Sequence, residues 1–405
     1  MLNKIGVAAL AAMLLLSGCG PVFEKEEEVV RETEDEKEKA IIPKYKLPGD
    51  TYQTILPFQP SETRGLVNQY VYNRLDMEEL ERGLFRIARG SYPIDEYFFK
   101  EGHFLKEKDI SKWIQRGITK DDPTEEEKPE ETEDGNEDGQ EGEDAEKQSE
   151  LENDAPASPE SEGVSESKSP EYLSYIMEHT YYQKNDDEQV ELAGIVIGLS
   201  MNSVHYYKQA EGPPAMKPIP FNEMETQGKK IAAELVEQLR KYRDAENVPV
   251  TVALFREEKR ESVVPGSFFA KADFKSGQAK PDEWQTLDED YVFFPSEEAE
   301  ENHAKASEVM KAFKKKIEGY FPDYTGVTGR GFYKGGKLQR LDIEIPIEFN
   351  GKTEIIGFTE YTAAQVMEHF PKDVDVRVRI ASATRDESLV KREAGASKPF
   401  VHIYQ

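Results

Sequence analysis

The chain has 405 residues, room for two domains of ordinary size with linkers, and carries 81 acidic against 52 basic side chains, a formal net charge of −29. Most of that charge is local: residues 24–39 hold a net −5 and residues 121–169 a net −18, leaving about −6 for everything else. So acidic a chain would repel duplex phosphates rather than neutralise them, which argues against nucleic acid as a partner, and a single cysteine excludes an internal disulfide framework.

The first element reads as an export signal. Lys4 gives a short positive stretch, Ile5 to Leu16 is uncharged and apolar, and Ser17-Gly18 supplies small residues before Cys19. Twelve helical residues reach about 18 Å, short of a hydrocarbon core of about 30 Å, so the run targets the chain without spanning the membrane. Leu16-Ser17-Gly18-Cys19 resembles the lipobox of bacterial lipoproteins. The resemblance implies diacylglyceryl transfer to the Cys19 thiol, cleavage between Gly18 and Cys19 by lipoprotein-processing enzymes, and a tether to membrane lipid through diacylglyceryl-Cys19. Two acyl chains, at about 0.8 kcal/mol per buried methylene, make a durable anchor. Thioether linkage also removes a thiol that an exported protein could not pair. Pro21 brings no acidic sorting signal, so the expected place is the extracytoplasmic face of the cell membrane.

Residues 19–44 form an acidic, Glu/Lys-rich stretch that cannot bury enough apolar surface to order itself, and read as a flexible spacer. A first α+β domain is expected over 45–274. It opens with a strand through Tyr52 to Leu56, a helix gathering Leu66, Val67, Tyr70 and Val71, and a second helix gathering Leu80, Leu84, Phe85 and Ile87. Asp76 and Glu79 have capping-box spacing before that helix. Aromatics then crowd the sequence at Tyr97, Phe98, Phe99, Phe104 and Trp113, as a core requires. The run 121–169 interrupts this domain as a disordered acidic insertion. Inside it, Asp134, Asn136, Asp138 and Gly139 match the start of a calcium loop, but the twelfth position is Ala145 where a bidentate glutamate belongs, so no metal site is expected.

An internal repeat follows. Ile195-Val196-Ile197-Gly198-Leu199 lies over Ile343-Glu344-Ile345-Pro346-Ile347 without a gap, and each run ends in a turn dipeptide, Asn202-Ser203 or Asn350-Gly351. Asn-Gly is the favoured two-residue hairpin turn, so each copy is expected to continue into a second strand, through His205-Tyr206-Tyr207 or Thr353, Ile355 and Ile356. Each then enters a helix, marked by Ile231, Leu235, Leu239 and Tyr242 in the first copy and by Ala363, Val366, Met367 and Phe370 in the second. The match resumes at Val248, Val250, Val252 and Leu254 over Val374, Val376, Val378 and Ile380, with Glu261-Ser262 over Glu387-Ser388. An aromatic strand closes each copy, Phe268 to Phe274 or Phe400 to Tyr404. Pro249 and Pro346 point to edge strands or bulges. Between the copies Ala306, Val309, Met310, Phe313 and Ile317 mark an amphipathic helix, with Lys311, Lys314, Lys315 and Lys316 mostly on its solvated side. The expected fold is therefore α+β: a duplicated hairpin-helix-strand-strand unit with antiparallel sheets, plus an N-terminal aromatic-rich α+β region and disordered acidic segments. The second α+β domain covers 275–405 and repeats about 190–274.

A lipobox leader, an acidic spacer and this duplicated C-terminal pattern together resemble the CamS family, lipoproteins of low-GC Gram-positive bacteria described as sex-pheromone precursors. The resemblance covers nearly the whole chain apart from the acidic insertion. It implies that the signal sequence yields a short hydrophobic peptide, for which the candidate is Ala11, Ala12, Met13, Leu14, Leu15, Leu16, Ser17 and Gly18. Catalytic signatures are not found: there is no His-Glu-x-x-His, no phosphate-binding glycine loop, and Gly198-x-Ser200 lacks the final glycine of a nucleophile elbow. His103, His179, His205, His303, His369 and His402 are scattered without ligand spacing, and read as half-buried or surface residues. No cofactor, metal or catalytic residue is expected. The mature part reads as a non-enzymatic binding or scaffold module for a peptide or cell-wall ligand. The alternative is an extracytoplasmic cell-envelope hydrolase using a carboxylate pair. Two close carboxylates with raised pKa in a cleft between the repeats would favour the hydrolase, and a flat aromatic-lined groove the binding module.

Overall fold

The computed structural model describes residues 27–32, 37–47, 49, 51–64, 73–115, 170–185, 189–207, 209, 214–320, 326–348 and 351–405. The leader with Cys19 and its candidate peptide, the insertion at 121–169 with its Asp134 motif, and the helix expected through Leu66 and Tyr70 lie outside the described residues.

The first unit begins with an antiparallel hairpin, β1 (Glu27–Glu32) and β2 (Lys37–Ile42), inside the stretch expected to be a flexible spacer. The register sets Arg31 opposite Glu38 and Glu32 opposite Lys37. Next come β3 (Gln53–Thr54), α1 (Met77–Ala88), β4 (Phe98–Glu101) and α2 (Glu107–Gln115). A long hairpin follows, β5 (Leu173–Lys184) and β6 (Val190–Met201), then a two-stranded ribbon of β7 (Val204–Tyr207) and β8 (Ala215–Pro218). The unit ends with α3 (Phe221–Leu239), β9 (Val250–Arg256), β10 (Ser267–Phe274) and β11 (Trp284–Thr286). Among the described residues its sheet runs β11-β10-β9-β6-β5-β4-β3, with β9 parallel to β6 and the β1–β2 hairpin joined at β6.

The composition of β6 sets the layering. Ile195, Val196, Ile197 and Leu199 are all fully buried, as an unbroken apolar strand must be when both faces of its sheet are covered. On one face lie α2 and α3, bringing Trp113, Ile231 and Leu235; on the other lies α1, bringing Leu80 and Leu84 against Phe255 and Phe268. Trp113 and Tyr172, which flank the acidic insertion in sequence, share the first of these cores.

The second unit comprises β12 (Glu289–Phe294), α4 (Glu297–Asn302), α5 (Ala304–Glu318), β13 (Thr328–Lys334), β14 (Lys337–Pro346), α6 (Lys352–His369), β15 (Asp375–Ala381), β16 (Asp386–Arg392) and β17 (Phe400–Ile403). Its sheet runs in the order β12-β13-β14-β15-β16-β17. The helices α5 and α6 cover one face through Met310, Phe313, Phe358 and Val366. Among the described residues no helix is long and apolar enough to cross a membrane.

The α+β class and the duplication are both present: β5-β6-α3-β9-β10 and β13-β14-α6-β15-β16 share one order, with a parallel join across each helix. The repeat alignment places β6 on β14 and β9 on β15. Several local expectations are corrected. Each hairpin lies before the matched strand, not after it: β14 turns back from β13 at Gly335-Gly336, whose φ values of 58° and 69° suit a primed two-residue turn. Gly351 instead caps α6, and Thr353, Ile355 and Ile356 are helical because Ile355 and Phe358 pack on the sheet. In the first copy β7 pairs with β8 and not with β6. By topology β10 corresponds to β16, so Glu387-Ser388 falls inside a strand while Glu261-Ser262 lies in a loop. Both sheets are mixed, not purely antiparallel. Pro346 ends a central strand and Pro249 precedes one, where neither has to donate within the ladder. The first sheet also extends past 274, since β11 pairs with β10.

Candidate functional site

Alternation along the second sheet creates the site. On β14, Leu341, Ile343 and Ile345 are buried under the helices, so Arg340, Asp342 and Glu344 fall on the opposite face. Register then carries one row across the whole sheet through Phe293, Arg330, Asp342, Arg377, Lys391 and Phe400. Beside it runs a second row of Thr328, Glu344, Arg379, Leu389 and His402. Part of this face lies opposite the first turn of α1 and the 262–265 segment of the first unit. Together they enclose a cleft of about 820 Å³ whose walls include Arg74, Asp76, Arg82, Val263, Arg330, Arg377 and Arg379.

One end of the cleft is closed by a buried charge network that joins the two units. Arg86 on α1 donates to Glu289 at 3.2 and 2.7 Å and to Glu79 at 3.2 and 3.3 Å, and its guanidinium stacks 4.3 Å above the Phe332 ring. Arg340 lies on the same ring at 5.4 Å, donates to the Tyr291 hydroxyl at 3.1 Å, and sits 3.7 Å from Glu79. The Glu289 side chain is 0% exposed, so its charge depends on Arg86 and on Lys334 at 3.4 Å. Burial pushes the Tyr291 phenol well above its ordinary value, keeping it a neutral hydrogen-bond partner.

Along the open part of the cleft most carboxylates are held by arginines. Asp76 accepts from Arg74 Nε at 2.8 and 3.0 Å and from the Gly266 amide at 3.3 Å. Burial nevertheless raises its pKa against the opposing pull of Arg74. Asp342 accepts from Arg340 Nε at 2.8 Å, Glu344 pairs with Arg379 at 2.5 Å, and Glu78 pairs with Arg82 at 3.2 Å. Two cations are different. Arg330 has no hydrogen bond or ion pair among the described residues, and Arg377 keeps a buried Nε with no partner. Arg377 also stands directly opposite Lys391 in the β15–β16 register, a like-charge placement that is unfavourable by itself.

Two glutamates whose pKa rises to about 7 lie elsewhere. Burial raises Glu257, which is 0% exposed and accepts the Ser174 and Ser200 hydroxyls; it likewise raises Glu178, which accepts the Phe104 and Leu105 amides. Neither lines the cleft. The capping box expected at α1 is not formed: Asp76 makes no side-chain cap bond and turns to Arg74, while Glu79 turns to Arg86. Of the histidines, His179 and His205 are fully buried rather than half-buried or exposed. His179 packs between Phe85 and Phe99, and burial lowers its pKa to about 3. No three His, Cys, Asp or Glu side chains among the described residues come together as a metal site. The arginines of the cleft were missed in the sequence, although Arg340-x-Asp342-x-Glu344 and Arg377-x-Arg379 carry the period of two that marks a polar strand face.

The family model described as CamS sex pheromone cAM373 precursor matches residues 58–398. Two solved structures share the fold over most of the chain. The first is the C-terminal domain of the sex pheromone staph-cAM373 precursor from Staphylococcus aureus: it is 26% identical, has a TM-score of 0.62, and the match covers 81% of this chain and 96% of that one. The second is a sex pheromone precursor from Lactobacillus salivarius subsp. salivarius UCC118, 25% identical with a TM-score of 0.71, where 89% of this chain and 98% of that one are covered. No curated protein matches the chain.

Proposed function

The chain belongs to the CamS family of sex pheromone precursors, and from that premise we propose that it is a surface lipoprotein, anchored through diacylglyceryl-Cys19, whose mature part is a non-enzymatic binding module for an envelope ligand held in the cleft between the two units. The observation that carries the binding reading is the electrostatic state of the cleft. Its carboxylates are largely committed to arginines, while Arg330 and Arg377 keep unspent hydrogen-bonding capacity. Acid–base hydrolysis instead needs a carboxylate pair with displaced pKa values facing the substrate. The two most displaced carboxyls, Glu178 and Glu257, are buried elsewhere and hydrogen-bonded to serine hydroxyls and backbone amides.

Membership of the family supports a role for the leader as well. After cleavage at Cys19, residues 11–18 form a fragment with no charged side chain, able to leave the membrane and enter an apolar receptor groove with little desolvation cost beyond its backbone and termini.

Two experiments test this reading. Cys19→Ala should abolish incorporation of labelled palmitate and shift the protein out of its normal membrane fraction; label retained on the variant would overturn the anchoring. Purified protein should bind isolated Gram-positive cell walls and lose that binding when Arg330 and Arg377 are both changed to Glu. Equal binding by the variant, or none by the wild type, would overturn the module.

A further inference from the structure

We propose that the open face of the second sheet binds an extended sugar-phosphate polymer, with Arg330, Arg377 and Lys391 taking its phosphodiesters and Phe293 and Phe400 supporting its sugars. This deepens the wall-binding reading above and rests on it. The cations come first in the argument. Arg377 and Lys391 are register partners on neighbouring strands, with the exposed Glu393 acting on both and Asp342 opposite Arg377 on its other side, and a ligand anion bound between the two cations would add to the charge they meet. Arg377 Nε is buried without a protein partner, which leaves a donor that a ligand in the cleft would satisfy. Lys391 is held by Glu393 at 2.8 Å, a surface pair weak enough to yield to a better anion. Arg330, two strands away, acts on Asp76 at a distance but has no hydrogen bond or ion pair among the described residues, and offers a second guanidinium fork, the geometry that suits phosphate.

The shape of the face selects a polymer over a small anion. Six neighbouring strands at about 4.8 Å spacing make the row from Phe293 to Phe400 about 24 Å long. Both ends of that row are aromatic, and Phe400 is 60% exposed on an edge strand. The neighbouring row ends in His402, whose ring lies 4.7 Å from that of Tyr404. Aromatic faces carry negative charge density and suit the C–H faces of sugar rings, while the arginines and lysine suit the phosphates between them. The intervening Asp342 is held by Arg340, so its charge is already met within the protein. Bases also stack on aromatic rings, but a single strand needs a platform for successive bases, and the two aromatic ends of this row lie about 24 Å apart.

The test uses the full chain extracted from membranes and isothermal titration with a glycosylated poly(glycerol phosphate). Three further probes are a carboxylate-only glycan (polygalacturonate), a neutral dextran and an oligothymidylate. The phosphate glycopolymer should bind tightest, with an affinity that weakens as salt rises. Arg330→Gln with Arg377→Gln should weaken it at least about tenfold, since a hydrogen bond to a charged group carries that much, and Phe400→Ala several-fold through the lost ring–sugar contact. If the double variant does not fold, the exposed Arg330→Gln alone decides in the same way. Binding of polygalacturonate or oligothymidylate as tight as that of the phosphate polymer would overturn the proposal, as would unchanged affinity of the arginine variants. Wild-type wall binding that is still lost on changing Arg330 and Arg377 to Glu, alongside either result, would leave the binding module standing and remove only this ligand.

Discussion

Replacing Arg86 by Met should uncouple the two units. Methionine keeps an apolar stem over the Phe332 ring but removes the guanidinium that faces Glu289 at 2.7 Å and Glu79 at 3.2 Å. Glu289, 0% exposed, would be left with Lys334 at 3.4 Å, and Glu79 with Arg340 at 3.7 Å. Removing one partner of a buried ion pair costs about 3–5 kcal/mol, because the remaining charge stays desolvated, and the lost cation–π contact adds to this. Urea unfolding at pH 8 should therefore show a loss of about 3–5 kcal/mol, seen thermally as roughly 6–20 °C. Adding Glu289→Gln to Arg86→Met should recover much of that loss, because the orphaned charge is gone, whereas Glu289→Gln alone should be destabilising. The double-mutant cycle isolates the coupling. A loss below about 1 kcal/mol, or additive effects of the two changes, would refute the account of this contact as a charge lock.

Glu257 should couple stability to pH. Burial raises its folded pKa from 4.5 to about 7, so the folded state binds more protons than the unfolded state between those values, and stability falls as pH rises through that window. The displacement corresponds to about 3 kcal/mol, so the stability of Glu257→Gln relative to wild type should climb by about that amount between pH 4 and pH 8. The difference between variant and wild type is the proper readout. Glu178, raised to about 7 by burial against the pull of the Leu105 and Phe104 amides, slopes the same way; His179, held near 3 by burial, stabilises the fold as pH rises from 3 to 6.5. A flat difference across that range would show that Glu257 does not titrate in this window. Separately, Gly194→Ala should lower stability by about 1–3 kcal/mol in thermal melts. The new Cβ would lie 1.7 Å from the Tyr92 hydroxyl oxygen, and the Tyr92 ring is stacked on Tyr181 at 4.9 Å; an unchanged melting temperature would refute the close approach.

The parts of the fold legible in the sequence are those where burial repeats. The runs Ile195–Leu199 and Ile343–Ile347 are visible as copies because each supplies a central strand, and Val250 and Val376 follow because each strand beyond the helix pairs in parallel with it. The hairpins were misplaced because Asn350-Gly351 is a stronger local turn signal than Gly335-Gly336, and because Thr353, Ile355 and Ile356 are β-branched. Packing of Ile355 and Phe358 against the sheet overrides that preference. The hairpin at 27–42 was hidden for the opposite reason, since its strands have charge where a core strand has aliphatics. The cleft needs both units, so no single stretch announces it. Yet the asymmetry that makes it possible is written in the two copies. β6 reads Ala-Gly-Ile-Val-Ile-Gly-Leu with no charge between 193 and 199, and α1 covers its second face; β14 reads Arg-Leu-Asp-Ile-Glu-Ile from 340 to 345 and could not accept a helix there without burying three charges. The copy that kept polar residues at alternate positions is therefore the one whose sheet retains a free face. The Arg86 network joins α1 to that sheet at one end, and beyond it the face lines the cleft that a ligand would enter.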